Sequence, residues 1–249
     1  MGVRQPLYRT DLAFVQAAGF SGDQRRSAPG LLALLRRAGI RSGTVVDLGS
    51  GAGFWLRALS DAGFQAVGCD ASGPLVKIAR RNAPAASIKA ASVDRFPIPP
   101  CDAITALGEV LCYRPPRHAL RDLDGLFRRV AAALRPGGLL VFDAMVRERG
   151  APMAYRTWTE GPGWAVLVDV VENRVDRSLT RDIITFRLID GRYRRSREVH
   201  QLTVFDPADL GRALRRAGFA VATTPRIGGV ALAPRRLGFI ATLPHGSKR

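Results

Sequence analysis

The residues of this chain that could do chemistry gather around one short run, Asp47-Leu48-Gly49-Ser50-Gly51-Ala52-Gly53, and a second acid further along, Asp70. Three glycines at alternate positions let a backbone turn tightly and lie against a ligand with no Cβ in the way. Asp47, beside that turn, suits a ligand carrying a cationic amino group better than one carrying phosphates. Asp70 closes the apolar stretch Ala66-Val67-Gly68-Cys69 and is placed to accept hydrogen bonds from both hydroxyls of a ribose. A dinucleotide site fits poorly. It needs a third glycine, for close approach of a helix to a pyrophosphate, where this chain has Phe54.

Elements that position these groups can be read around them. Val45, Val46 and Leu48 form the short apolar run of a strand buried on both faces. Phe54 to Ala62 is helical in pattern, with Leu56 and Leu59 on one side and Gly63 as its stop. A strand-turn-helix-strand unit of this kind aims a helix N-terminus at whatever lies on the glycine turn. A cation plus a ribose without a phosphate describes S-adenosyl-L-methionine. The turn with its two acids resembles the first motif of the class I S-adenosylmethionine-dependent methyltransferases.

That resemblance implies an α/β fold: a doubly wound, mostly parallel seven-stranded sheet whose last strand is antiparallel. It also implies a cofactor site formed by Asp47, Gly49, Ser50, Gly51, Gly53, Asp70, Ala71, Ser92, Val93 and Leu107. The third strand, Ser87 to Ser92, leads into the proline-rich loop Val93-Asp94-Arg95-Phe96-Pro97-Ile98-Pro99-Pro100. With Phe96-Pro97 in the place of the family's Leu-Pro pair, Ser92 falls where an acid is usual and Val93 where a backbone amide reads adenine. Asp94 is the alternative acceptor. Ala103 to Leu107 is the fourth strand, and Glu109 follows at its carboxyl end, where ligands of open α/β sheets sit. A long amphipathic helix, Pro115 to Leu134, then Arg135-Pro136-Gly137-Gly138 and the apolar strand Leu139 to Asp143, form a second family hallmark. The last strands, Phe219 to Thr223 and Leu237 to Leu243, match the hairpin that closes such sheets.

Two regions flank or interrupt this core. Residues 1–44 carry two predicted helices, Asp11 to Ala18 and Ala28 to Ala38, which the resemblance places as a lid on the cofactor, with Tyr8 and Phe14 as candidate neighbours. The methyltransferase domain proper is 45–249. Within it, 147–205 is a β-rich insertion: Trp164 to Val171, Thr180 to Leu188 and Arg195 to Phe205 alternate apolar and polar residues, as half-exposed antiparallel strands do. Such strands cannot form a core alone, so they are expected to roof the cleft ahead of the last helix, Asp206 to Ala217, as in small-molecule N- and O-methyltransferases. Of three histidines only His200 falls in that roof, which makes it the candidate base or substrate donor. Glu109 is expected on the opposite wall, and Asp143 faces the same cleft.

Composition bounds the rest. The 249 residues, 47% hydrophobic, suit one large α/β domain. No apolar run approaches membrane-spanning length, and Met1 to Pro6 shows neither a secretory core nor a myristoylation signal, so the expectation is cytoplasmic. Cys69, Cys101 and Cys112 lie in or beside apolar runs and read as core thiols, with no metal site. A formal charge of +17 raises nucleic acid as a partner, but the arginines fall as scattered pairs on polar helix faces, apart from Arg192-Tyr193-Arg194-Arg195-Ser196-Arg197. The expected activity is methyl transfer to N or O of a small-molecule acceptor. A nucleic-acid methyltransferase and a non-catalytic adenosyl-ligand-binding protein remain the alternatives.

Overall fold

The computed structural model describes residues 7–148 and 150–245, so the reading of Met1 to Pro6 lies outside the described residues. In chain order the elements are α1 (Thr10–Gly19), α2 (Gly22–Arg37), β1 (Thr44–Leu48), α3 (Phe54–Asp61), β2 (Gln65–Asp70), α4 (Gly73–Asn82), β3 (Ser87–Ala90) and β4 (Cys101–Ala106). A single 3-10 turn, Val110–Cys112, precedes α5 (Ala119–Ala133) and β5 (Leu134–Met145). The second half holds β6 (Ala154–Gly161), β7 (Trp164–Asn173), β8 (Ser178–Ile189), β9 (Arg192–Thr203), α6 (Pro207–Arg216), β10 (Ala220–Thr224), β11 (Arg226–Ile227), β12 (Val230–Ala231) and β13 (Arg236–Thr242).

The main sheet runs β10-β13-β5-β4-β1-β2-β3. Pairs β1/β2, β1/β4, β2/β3 and β4/β5 are parallel, whereas β13 is antiparallel to both β5 and β10. The strands alternate with helices, and parallel neighbours need a helical crossover, so helices cover both faces. On one face α5 and α6 pack Leu123, Phe127, Leu210 and Leu214 against Phe142 and Phe239, whose rings stack at 4.8 Å. On the other, α2 and α3 contribute Leu31, Leu35, Trp55, Leu56 and Leu59. The three cysteines are buried, and burial pushes the Cys69 and Cys101 thiols up to about 12, which leaves them inert as nucleophiles.

The inserted sheet is antiparallel throughout, in the order β6-β7-β8-β9. Asp190 and Gly191, both at positive φ (49° and 77°), make the turn that a two-residue hairpin needs between β8 and β9. Val170, Leu179 and Leu202 join the main core, while Leu12 and Val15 of α1 pack on Trp164, Val166 and Ile183. The sheet therefore lies over the carboxyl ends of β4 and β5.

Several boundaries differ from the sequence reading, four of them by more than a turn's slip or by a whole strand; β3 also ends at Ala90 and β9 starts at Arg192. Helix α2 starts at Gly22, ahead of Ala28: Asp23 favours the helix N-terminus and pairs with Arg26, and Pro29 is carried inside the helix. Helix α5 starts at Ala119, four residues after Pro115, because Pro115 to His118 are taken up by turns. The Pro-Gly-Gly segment is already strand, since Leu134 pairs with Cys101 across a bulge. The insertion has a fourth strand, β6, whose near-continuous exposure leaves no apolar alternation to read. The small β11–β12 hairpin was likewise unforeseen.

Candidate active site

The glycine turn takes its shape from the end of β2. Gly49 N and Ser50 N donate to Cys69 O at 2.8 and 2.9 Å, and Gly51 N donates to Asp70 Oδ2 at 2.9 Å. Gly49, Gly51 and Gly53 all sit at positive φ, a region side chains rarely adopt. A Cβ on Gly53 would lie 2.9 Å from Ala79 of α4, so the turn is also packed shut from behind. On Gly51 a Cβ would meet only Gln24 Nε2, at 3.9 Å, which leaves that face open to a ligand.

Two acids border the turn. Asp47, only 3% exposed, accepts from Thr105 Oγ1 at 2.6 Å, and Trp55 Nε1 in turn donates to Thr105 at 3.0 Å. Burial pushes its carboxyl up to about 7, with Asp70 adding to the effect. Asp70 is half-buried; its Oδ1 accepts from Ser72 N at 2.8 Å, and burial raises its pKa as well. Each oxygen already holds one backbone amide, leaving lone pairs for a further donor. Ser72 caps α4, its Oγ accepting from Leu75 N at 3.1 Å.

These groups suit S-adenosyl-L-methionine. Ser50 Oγ is buried in the turn with no hydrogen-bond partner among the described residues, and Asp47 is a buried carboxyl with no ion pair among them. Ala71 is exposed next to Asp70, and Leu107 is buried beside the cavity. Ser92 O accepts from Arg95 N and Phe96 N, and Val93 is half-buried against the core. The carboxylate of Asp94, the alternative acceptor, is exposed and pairs with Arg114 at 2.6 Å.

A cavity of about 270 Å³ opens beyond the turn, at the carboxyl ends of β4 and β5. Its lining includes Tyr8, Glu109, Asp143, Arg181 and Arg236, the segment Val230 to Ala233, and Gln24 of α2. Asp143 accepts from Gly108 N (2.7 Å), Glu109 N (3.0 Å) and Arg236 Nη2 (2.6 Å). Those two amide bonds hold Glu109 at φ 62°. Arg181 Nη2, from β8, pairs with Glu109 Oε2 at 2.8 Å, while Arg236 Nη1 lies 3.5 Å from Oε1. Tyr8 and Tyr113 share a hydroxyl hydrogen bond of 2.9 Å, and burial keeps both phenols protonated.

His200 is not on the wall opposite Glu109. Strand register sets it directly across from Arg181, yet only the long arginine reaches the cavity. The His200 ring is fully buried, 4.9 Å from the Tyr8 ring and 5.7 Å from that of Tyr113, with Nε2 3.0 Å from Glu198 Oε2. Phe14 is also absent from the lining and lies under the Arg187 guanidinium. Arg181, Arg236 and Tyr113 were missed by sequence reasoning; an arginine at an alternating strand position carries no local sign of its distant partner.

A family model described as a methyltransferase domain matches residues 21–224. The dTDP-3-amino-3,6-dideoxy-alpha-D-glucopyranose N,N-dimethyltransferase of Streptomyces fradiae is 26% identical over 212 residues, covering 83% of this chain and 82% of that protein. Among solved structures, DesVI of Streptomyces venezuelae superposes with a TM-score of 0.79 at 19% identity, covering 95% of this chain and 100% of the other. An amino pentose methyltransferase from Micromonospora echinaspora, solved with S-adenosylmethionine bound, gives 0.74 at 20% identity, over 92% and 96% of the two chains. At such identities the structural likeness shows the fold, and the family match, over most of the chain, supplies the chemistry. The chain therefore belongs to the methyltransferase-domain family, as a class I S-adenosylmethionine-dependent methyltransferase.

Proposed function

We propose that the chain methylates an amino group of a small polar molecule, of the amino-sugar class on which the Streptomyces fradiae relative acts by its name. The observation that carries this is Glu109. It is a carboxylate facing the cavity whose Oε2 is held at 2.8 Å by Arg181 and whose Oε1 is only loosely engaged, 3.5 Å from Arg236. Asp143, by contrast, has both oxygens occupied by amides and Arg236. Arg181 balances Glu109 and Arg236 balances Asp143, so the cavity is not the positive site that the +17 of the whole chain would lead one to expect. An amine suits such a cavity better than a polyanion.

Asp47 and Ser50 would hold the methionine end of the cofactor, Asp70 its ribose hydroxyls, and Ser92 and Val93 its adenine. When bound, S-adenosylmethionine supplies a sulfonium methyl that is already activated toward a nucleophile. The protein's part is then orientation. Glu109 Oε1 accepts an N–H of the amine and so fixes the direction of its lone pair. Arg181 and Arg236 hold that carboxylate still. Tyr8, protonated through burial, closes the cavity beside it. An amine that arrives neutral needs no base, and the proton of the methylated ammonium leaves to solvent afterwards. His200, behind the tyrosines, takes no part in proton transfer in this scheme.

The test is methyl transfer from labelled S-adenosylmethionine to paired acceptors that differ only in an amino or a hydroxyl group, starting with dTDP-3-amino-3,6-dideoxyglucose. Label appearing on the amines supports the assignment. Label confined to the hydroxyl partners, or to RNA, overturns it.

A further inference from the structure

The Tyr8–Arg9 peptide unit is gripped from both sides. Its carbonyl, Tyr8 O, accepts from Ser72 Oγ at 2.7 Å, and its amide, Arg9 N, donates to Glu198 Oε1 at 2.9 Å. A trans peptide is planar and points its C=O and N–H in opposite directions, so one rigid group spans the gap between the cofactor turn and the roof. Both grips lead on. Ser72 N donates to Asp70 Oδ1, and Glu198, 4% exposed, holds its second oxygen 3.0 Å from His200 Nε2. Asp11 adds a second tie to the roof through Arg194, 2.9 Å away, and Arg187. Tyr8 itself sits at φ 49°, a backbone region unfavourable for a tyrosine, which persists only where its surroundings hold it. Rotating the peptide would break both bonds together, so they form one cooperative unit.

We propose that Glu198 is a positioning residue for the S-adenosyl ligand, acting through the Tyr8–Arg9 peptide on Ser72 and Asp70. This rests on the assignment of Asp70 to the ribose. The roof over the acceptor and the turn under the cofactor are thereby coupled, and His200 serves by fixing the direction of the Glu198 carboxylate.

Backbone geometry provides one arm of the test, with Glu198 variants as the other, since a proline at 9 also restricts Tyr8. Arg9 has φ −64°, the value proline adopts, and its side chain is largely exposed, so Arg9→Pro deletes the amide donor at a compatible φ. Arg9→Ala keeps the amide donor and removes the guanidinium, whose Nε lies 3.7 Å from Glu198 Oε1 and whose Nη2 bonds Arg197 O, so the comparison separates the backbone bond from these side-chain contacts. Calorimetric titration with S-adenosylhomocysteine should show about a tenfold rise in Kd for Arg9→Pro and less than a twofold change for Arg9→Ala. Glu198→Met, which removes the acceptor at similar volume, should match Arg9→Pro, and Glu198→Gln, which keeps an acceptor oxygen, should restore most of the affinity. The double variant Arg9→Pro/Glu198→Met should bind no worse than the weaker of the two single ones, because the amide bond that reaches Ser72 is the same in both. Wild-type affinity in both Arg9→Pro and Glu198→Met, or effects that multiply in the double variant, would overturn the proposal. A wild-type protein that binds no S-adenosylhomocysteine would overturn the cofactor site itself, a distinguishable result.

Discussion

Asp47 should make this protein less stable at neutral pH than in mild acid, and its removal should reverse that at the expense of the cofactor. Its carboxyl is displaced from the ordinary 3.8 to about 7 by burial. Between those values the folded chain holds a proton that the unfolded chain releases. Stability contributed by Asp47 is thus full below pH 4 and falls as pH rises, by roughly 4 kcal/mol once pH passes 7, at 1.36 kcal/mol per pH unit. Asp47→Asn has nearly the same shape, can still accept from Thr105, and carries no charge at any pH. Its stability relative to wild type should therefore climb by roughly 3 kcal/mol between pH 5 and pH 8, whatever constant offset the amide group introduces. Urea denaturation of the ligand-free proteins at both pH values reads this difference directly. Binding tells the complementary story. A cationic ligand needs the ionised carboxylate, so at pH 6 wild-type protein should release close to one proton on binding S-adenosylhomocysteine, seen as a buffer-dependent enthalpy in calorimetry, and Asp47→Asn should release none. The reasoning fails if the stability gap between the two proteins stays constant from pH 5 to pH 8, or if wild type binds without proton release.

Further expectations follow from the same geometry. Asp70→Ala should weaken S-adenosylhomocysteine binding by about 2 kcal/mol, since it removes charge-assisted bonds to the ribose and strands the amides of Gly51 and Ser72; unchanged affinity in calorimetry would contradict the ribose assignment. Glu109→Gln should lower kcat/KM for an amine acceptor about a hundredfold while leaving cofactor affinity within twofold, measured by steady-state kinetics beside calorimetry. Gly53→Ala should cost about 1–3 kcal/mol in urea denaturation, because the new Cβ meets Ala79 at 2.9 Å at a backbone φ of 82°. Despite the +17 charge, RNA affinity should be weak, unselective and lost as salt rises: Arg194 and Arg197, from the most basic run, are paired with Asp11 and Asp182. Tight, sequence-selective RNA binding at physiological salt would refute that.

How much was legible from the chain alone depends on the range of the interactions involved. The glycine turn, Asp47, Asp70 and the alternation of strands and helices were readable because they are local: positive φ requires glycine, caps and breakers mark helix ends, and period-2 or period-3.6 patterns report which face is buried. The seven-stranded, mostly parallel sheet with an antiparallel last strand came from the family resemblance, and the fold has it, but the order of its strands was not read. What sequence could not supply is how separate segments meet. Glu109, Asp143, Arg181 and Arg236 come from four distant places and acquire meaning only when β13 pairs with β5 and the roof settles over both. His200 shows the boundary clearly. It was read as part of the inserted sheet, but a strand pattern does not name the layer that covers a residue. Tyr8 and Tyr113, from opposite ends of the first half of the chain, close over that histidine, and the long Arg181 beside it reaches the cavity instead. Local backbone preference determined the cofactor turn, and only long-range packing decided which side chains face the acceptor.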